Sequence, residues 1–177
     1  MDTLNYLDTT RKVLLQYKKM AEAAMGQLTD EQLSWAPSKE SNSIAAIVKH
    51  ICGNMLSRWT DFLTTDGEKD WRDRDAEFEA ADVKNRAQLM EKWEEGWKCM
   101  MDTLNALTPE DLGRIVKIRA EDHSVIDALQ RQLAHYSSHI GQIISLAKAQ
   151  KDSGWKTLSI PKGQSKQFND SMMGNKK

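Results

Sequence analysis

Seven apolar residues near the C-terminal end of the chain, Ile126, Leu129, Leu133, Tyr136, Ile140, Ile143 and Ala147, step by 3, 4, 3, 4, 3, 4. A stripe of this kind runs down one face of an α-helix and must be covered by other helices. Three earlier segments carry the same periodicity. The first runs from about Thr3 to Leu28, with Leu7, Leu14, Tyr17, Ala21, Ala24 and Leu28. The second follows the capping stretch Glu40-Ser41-Asn42-Ser43, with Ile44, Val48, Ile51, Met55, Trp59 and Phe62, and is expected to end before Asp66-Gly67. The third runs from about Asn85 to Leu107, with Leu89, Trp93, Trp97, Met100, Leu104 and Leu107. Only three prolines and nine glycines interrupt 177 residues. Four long amphipathic segments with breaks between them predict an all-α fold, a four-helix bundle.

The breaks are also informative. Thr29-Asp30 opens one, and Trp35-Ala36-Pro37-Ser38 cannot be helix interior, because proline disfavours helix at the residue before it. Asp66 to Asp82 is a long, charge-rich connection, functional or merely solvated, and its Asp66–Arg74 part reads as a solvated loop or as one that closes over a site. Thr108-Pro109-Glu110-Asp111 is a break or a short turn. Ile115-Val116-Lys117-Ile118 is β-prone and predicts an extended segment or a small hairpin arm before the last helix. We place a helical domain over 1–151 and a polar, mostly irregular tail over 152–177, partly ordered through Trp155, Leu158 and Ile160.

Charge and cysteine usage exclude several classes of function. A net charge of -1 with no basic patch interleaved with aromatics argues against nucleic acid as a partner. No apolar run is long enough to span a membrane, and the N-terminus lacks the pattern of a secretory signal. Cys52 and Cys99 are too few for a disulfide scaffold and read as small buried hydrophobes in a reducing compartment. The expectation is a cytoplasmic protein acting on a small molecule.

Histidine supplies the chemistry. Of four histidines, His135 and His139 stand at i and i+4 on the last helix, and His50 stands on the second. Residues at i and i+4 share a helix face, and a third imidazole from a facing helix would complete a three-nitrogen site. Each of the pair precedes a stripe residue, Tyr136 or Ile140, so both flank the core. Three neutral nitrogens leave coordination positions open for water or substrate, as a catalytic metal requires. Other metal architectures fit poorly. His135-Tyr-Ser-Ser-His139 lacks the glutamate of a zincin, there is no pair of Glu-x-x-His motifs, and the cysteines lack zinc-finger spacing. His123, at the start of the last helix, reads as a surface or capping residue.

A bundle of four helices, one histidine near the start of the second and a His-x-x-x-His pair in the last resemble the DinB/YfiT-like metalloenzymes. An uncharacterised bacterial subgroup of that superfamily is resembled by His50-Ile-Cys-Gly-Asn-Met-Leu-Ser-Arg-Trp59, by Phe62-Leu-Thr-Thr-Asp-Gly-Glu-Lys69 with Trp71-Arg-Asp-Arg74, and by Leu158-Ser-Ile-Pro-Lys-Gly-Gln-Ser165. The resemblance covers nearly the whole chain. It implies an up-down-down-up bundle with one long crossover, and a divalent ion held by His50, His135 and His139. Nickel or zinc is the commonest metal, with iron or manganese as alternatives. It also implies a homodimer. Relatives with known activity are transferases and isomerases that use a small thiol such as bacillithiol or mycothiol, whose sulfur would bind the metal as thiolate.

The leading expectation is therefore a metal-dependent S-transferase that joins a small thiol to an electrophilic or toxic compound. Arg58, two turns beyond His50, is a candidate to hold an anionic group on thiol or substrate, or else a surface ion-pair partner. Asn54 is a candidate to orient a ligand, and Trp59 to wall a substrate pocket, as are Trp93 and Trp97 where they are not core. Two other readings stay open. One is a non-catalytic helical binding or stress-response module with a structural or incidental metal, in which loss of one histidine lowers stability without abolishing chemistry. The other is a metal-dependent hydrolase, which needs a carboxylate base near the ligands; the sequence shows none beside the histidines.

Overall fold

The computed structural model describes residues 3–79 and 85–174. The last three positions of the charge-rich connection, 80–82, and the closing Asn175-Lys176-Lys177 lie outside the described residues. The chain is mostly helical with one small sheet. Its elements are α1 (Thr3–Met25), α2 (Asp30–Ser34), α3 (Ile44–Trp59), α4 (Arg86–Ala106), β1 (Ile115–Ile118), β2 (Glu121–Ser124), α5 (Val125–Lys151) and α6 (Ser165–Gly174).

Side chains fix where the helices begin. Ser43 Oγ accepts the Ala46 N–H at 3.1 Å, Asn85 Oδ1 the Gln88 N–H at 3.0 Å, and Ser124 Oγ the Asp127 N–H at 3.1 Å. Each satisfies an amide that the first helical turn leaves open. The expected break at Thr29-Asp30 instead starts α2, five residues set by a reciprocal capping box between Thr29 and Gln32. One turn is too short for periodicity to reveal. α3 ends at Trp59, several residues earlier than expected. Asp61 takes a left-handed φ of 51°, and its carbonyl accepts the Thr64 and Thr65 amides in a tight turn that still buries Phe62.

The β-prone run is one arm of a hairpin. Ile115 pairs with Ser124 and Ile118 with Glu121 in an antiparallel ladder. The two turn residues, Arg119 and Ala120, both have positive φ, 56° and 63°, the backbone of a two-residue turn that ordinarily recruits Gly or Asn. Here Asp66 compensates. Its Oδ1 accepts the Arg119 amide at 2.8 Å and its Oδ2 the Ala120 amide at 2.7 Å. The hairpin tip is thereby tied to the long connection. His123 lies in β2 opposite Val116 rather than in the helix cap, and its Nδ1 bonds Asp127.

Cross-helix contacts define how the long helices run. Gly96 on α4 sits so close to α3 that a Cβ there would meet Cys52 Cα at 3.0 Å, and two turns on Thr103 Oγ1 donates to the Trp59 carbonyl at 2.9 Å. Residue numbers rise together, so α3 and α4 run in the same sense. His50 faces His135, while Asn54 faces Gln132, so α3 and α5 run oppositely. Arg11 reaches the Leu104 carbonyl, whereas Lys18 reaches Glu94, so α1 opposes α4. Two consecutive long helices in the same sense require a connection that returns the full length of the first, and residues 60–79 run within it.

The core fills the space between these helices. Trp59, Trp93, Trp97 and Tyr136 are fully buried in it. Burying side chains of this size removes some 150–250 Å² each from water and dominates such a core. The α5 stripe is displaced in its first two turns: Val125, Ala128, Leu129 and Gln132 are buried, while Ile126 and Leu133 are only half-buried. The buried polar Gln132 is tolerated because its Nε2 donates to Asn54 Oδ1 at 2.7 Å and to Tyr136 Oη at 2.9 Å. Among the described residues no helix is long and apolar enough to cross a membrane. Beyond α5 the tail begins with a 3-10 turn at Asp152–Gly154 and later forms α6, a helix the polar composition does not suggest.

Candidate metal centre

His50 lies in the second turn of α3, and His135 and His139 lie on successive turns of α5. Because the two helices run oppositely side by side, the three imidazoles converge. His135 Nε2 is 3.2 Å from His50 Nε2 and 3.1 Å from His139 Nε2. One ligand atom from each ring lies within 4.8 Å of the other two. A metal–nitrogen bond of about 2.0–2.1 Å puts neighbouring ligand atoms about 2.9–3.4 Å apart at octahedral to tetrahedral angles, so the two measured edges suit a shared ion. The three histidines can hold a metal.

Hydrogen bonding at the far sides of the rings sets their tautomers. His50 Nδ1 donates to Glu77 Oε2 at 2.8 Å, and His139 Nδ1 donates to Gln142 Oε1 at 3.0 Å. Both Nε2 atoms are then bare lone pairs, and a single N–H on His135 Nε2 can satisfy only one of them. The donor set is better matched to a cation than to protons. His135 Nδ1 is buried and meets no hydrogen-bond partner among the described residues.

Glu77 comes from the connection between α3 and α4, and no spacing or periodicity in the chain pointed to it. Its carboxylate takes the Arg72 guanidinium in a fork, Nε to Oε1 at 2.8 Å and Nη2 to Oε2 at 3.0 Å, while Oε2 also accepts from His50. Lys49 Nζ donates to the Ala76 carbonyl at 3.1 Å and pins the same stretch. Phe78 stacks on the His50 ring with centroids 4.7 Å apart. Gly53 leaves the room for this: a Cβ there would lie 2.9 Å from Glu77 Cδ. Burial by itself would raise the Glu77 pKa. The hydrogen bonds from His50 and Arg72, with the Arg72 charge, outweigh it and hold the carboxyl below its ordinary value. Residues 66–79 of the charge-rich connection are thus an ordered strap over the histidines. It returns along α3 and delivers a carboxylate twenty-seven residues from the histidine it orients, a pairing that periodicity cannot disclose.

The other candidates divide. Asn54 is buried, its Oδ1 accepting from Gln132 and from Tyr136 Oη at 3.0 Å, and it lines a cavity next to His50. Arg58 lines the same cavity and is only 3 % exposed, which rules out the surface ion pair considered for it. Trp59 lies in the core beside the cavity instead of lining it; its Nε1 donates to Tyr136 Oη at 3.0 Å and its ring packs on Phe62. Trp93 and Trp97 pack on each other in the core with centroids 5.4 Å apart. Cys52 is buried against Gly96, and burial pushes its thiol pKa up, which makes it a poor nucleophile.

A family model described as protein of unknown function (DUF1572) matches residues 2–164. The chain belongs to that family. The match spans α1 to α5 and stops just before α6, so all three histidines, Glu77 and the strap lie inside the DUF1572 region. No curated protein matches the chain.

Proton affinity at this centre has a measurable consequence for the metal-free DUF1572 protein. Burial, followed by the nearby His139 and His50, pushes the His135 pKa down from 6.5 to about 3. The unfolded chain therefore binds a proton at His135 that the folded chain refuses between those two values. Stability is full above about pH 6.5 and falls as pH drops toward 3. Urea titrations of chelator-treated protein at pH 7.5, 6 and 4.5 are expected to show a falling midpoint, and the fall should be smaller in a His135→Ala variant. An equal fall in both proteins would contradict the assignment.

Proposed function

We propose that the chain is a divalent-metal-dependent enzyme in which His50, His135 and His139 hold the ion and a small thiol is joined to an electrophilic compound. The observation that carries this is the convergence of the three Nε2 atoms, two of them fixed as lone pairs by oxygen partners behind the rings. The senses of the four long helices, and the long return between α3 and α4, favour the DinB/YfiT-like up-down-down-up arrangement that the sequence resembles. A divalent ion bound there would lower the pKa of a bound thiol or water, so that a nucleophile exists near neutral pH. The chain's own residues do the rest. Glu77 and Gln142 orient two ligands, Phe78 covers the His50 ring, and the Asn54–Gln132–Tyr136 network stiffens one wall of the adjoining cavity.

Nickel or zinc suits three imidazoles best, with iron or manganese following cellular supply. We further propose a small-molecule substrate and a homodimer, acting in the cytoplasm. The hydrolase reading gains nothing from Glu77, the carboxylate that the sequence did not show beside the histidines. Both oxygens are engaged by Arg72 and His50, and a carboxyl held below its usual pKa is a weak base.

The test is elemental analysis of tag-free protein, followed by turnover of a small thiol with a model electrophile such as chlorodinitrobenzene. About one nickel or zinc ion per chain, with metal-dependent loss of free thiol, is the expected result. A chain that takes up no divalent ion at micromolar concentration and neutral pH would overturn the proposal.

A further inference from the structure

Beside the histidines lies a cavity of about 200 Å³ lined by Arg58, Arg72, Arg74, Arg119 and Arg131. His50 and His135 form another part of the same wall, and among the described residues no acidic side chain lines it. Such a concentration of cations is unexpected in a chain whose net charge is -1.

Most of these charges are only partly compensated. Arg72 is held by Glu77. Arg119 meets Glu68 at 3.1 Å, the same carboxylate lying 3.8 Å from Arg72. Among the described residues Arg74 has only the exposed Asp75 as a carboxylate, at 3.9 Å, and its guanidinium lies over the Phe78 ring at 5.3 Å. Arg58 and Arg131 have no carboxylate partner among the described residues. Arg58 is the telling group: it is 3 % exposed, and its Nε and Nη1 are buried without a hydrogen-bond partner among the described residues. Leaving a buried donor unsatisfied is costly, and more so on a charged group. Burial, together with Arg131 and Arg72, lowers the Arg58 pKa from its ordinary value. Gly67 supplies the space, since a Cβ there would stand 2.9 Å from Arg58 Cδ. The neighbouring Asp66, in turn, holds the hairpin turn that places Arg119 at the cavity.

The helices locate this charge relative to the metal centre. Arg58 is eight residues beyond His50 on α3, and Arg131 is four residues before His135 on α5. With α3 and α5 opposed, both arginines lie on the same side of the histidines, Arg58 about two turns or ~12 Å of helix axis from His50 and Arg131 about one turn or ~6 Å from His135. Arginine is the side chain best shaped to clasp a planar or tetrahedral oxyanion through paired N–H donors. A cavity of this size admits a small molecule and no more.

We infer that this arginine-walled cavity binds a doubly charged oxyanion, a phosphate or a dicarboxylate, carried by the thiol or the electrophile of the proposed reaction, so that the anion is anchored at Arg58 and Arg131 and the reactive end reaches the histidines. The role of the reactive end rests on the metal-dependent reading above; the anion site does not. At least one of the two substrates is therefore a short acidic metabolite, and a neutral electrophile such as chlorodinitrobenzene fits only beside a thiol that itself carries the anion.

The test uses chelator-treated full-length chain, so that no metal can carry the anion, with inorganic phosphate and succinate as probes at constant ionic strength in calorimetric titrations. Saturable one-to-one binding is expected, tighter for phosphate if the natural ligand is phosphorylated and tighter for succinate if it is a dicarboxylate. Arg131→Gln, an exposed residue whose loss should not disturb folding, is expected to weaken binding about tenfold, equivalent to ~1.4 kcal/mol. Arg58→Gln is expected to abolish it. No saturable binding of either probe, or unchanged affinity in Arg131→Gln, overturns the inference. Metal content of the same preparations separates the two ideas: anion binding in a chain that takes up no metal removes only the metal reading, and metal uptake without anion binding removes only this one.

Discussion

Replacing His135 by alanine is expected to abolish stoichiometric uptake of a divalent ion while leaving the helices folded. His135 is the central member of the trio, with its Nε2 at 3.2 and 3.1 Å from those of His50 and His139, so its loss removes a ligand and opens both contacts. The expected fall in affinity exceeds about 100-fold, beyond the 10–100-fold that loss of a mere supporting partner costs. The fold should survive for three reasons. The ring is only half-buried, its Nδ1 has no partner to lose, and alanine is the best helix former. Metal titration beside a circular dichroism melt of the chelated variant reads both effects. A variant that keeps one ion per chain would show that the trio is not the site. One that loses the ion together with its fold, in the absence of metal, would favour the structural-module reading.

The second large effect is at Glu77. In Glu77→Gln the side chain keeps its shape but loses the charge that fixes the His50 tautomer and balances Arg72. Metal affinity is expected to fall about 10–100-fold. The Arg72 side chain is only 2 % exposed, and its remaining carboxylate, Glu68, stands at 3.8 Å. Destabilisation of about 1–3 kcal/mol should therefore accompany the change even without metal. Metal titration and urea unfolding of the one variant measure the two consequences. A Glu77→Gln protein with wild-type affinity and stability would reduce the strap to a solvated loop, which is how its composition reads.

Much of the fold is legible in the residues because helical burial is a local, periodic property. The stripes of α1, α3, α4 and α5 can be counted along the chain, and Ser43, Asn85 and Ser124 mark three starts within a residue. Where legibility fails, the deciding interaction is short or distant. α2 is a single capped turn, and α3 stops early because Asp61 adopts a left-handed backbone. The hairpin turn lacks Gly and Asn because Asp66, more than fifty residues earlier, supplies what those residues would have supplied locally. The displaced α5 stripe has the same origin, since Gln132 is buried for its bonds to Asn54 and Tyr136.

The same division holds at the site. Spacing alone puts His135 and His139 on one helix face, and amphipathicity puts His50 on the flank of another; both follow from 3.6 residues per turn. What only the tertiary structure decided is which groups stand behind and beside them. Two consecutive helices run in the same sense, so the chain must double back along α3. That return carries Glu77 to His50, Phe78 over its ring, and Asp66 to the hairpin that sets Arg119 beside Arg58. Helix periodicity is written into neighbouring residues, whereas a carboxylate orienting a histidine across twenty-seven residues depends on the path of the whole connection.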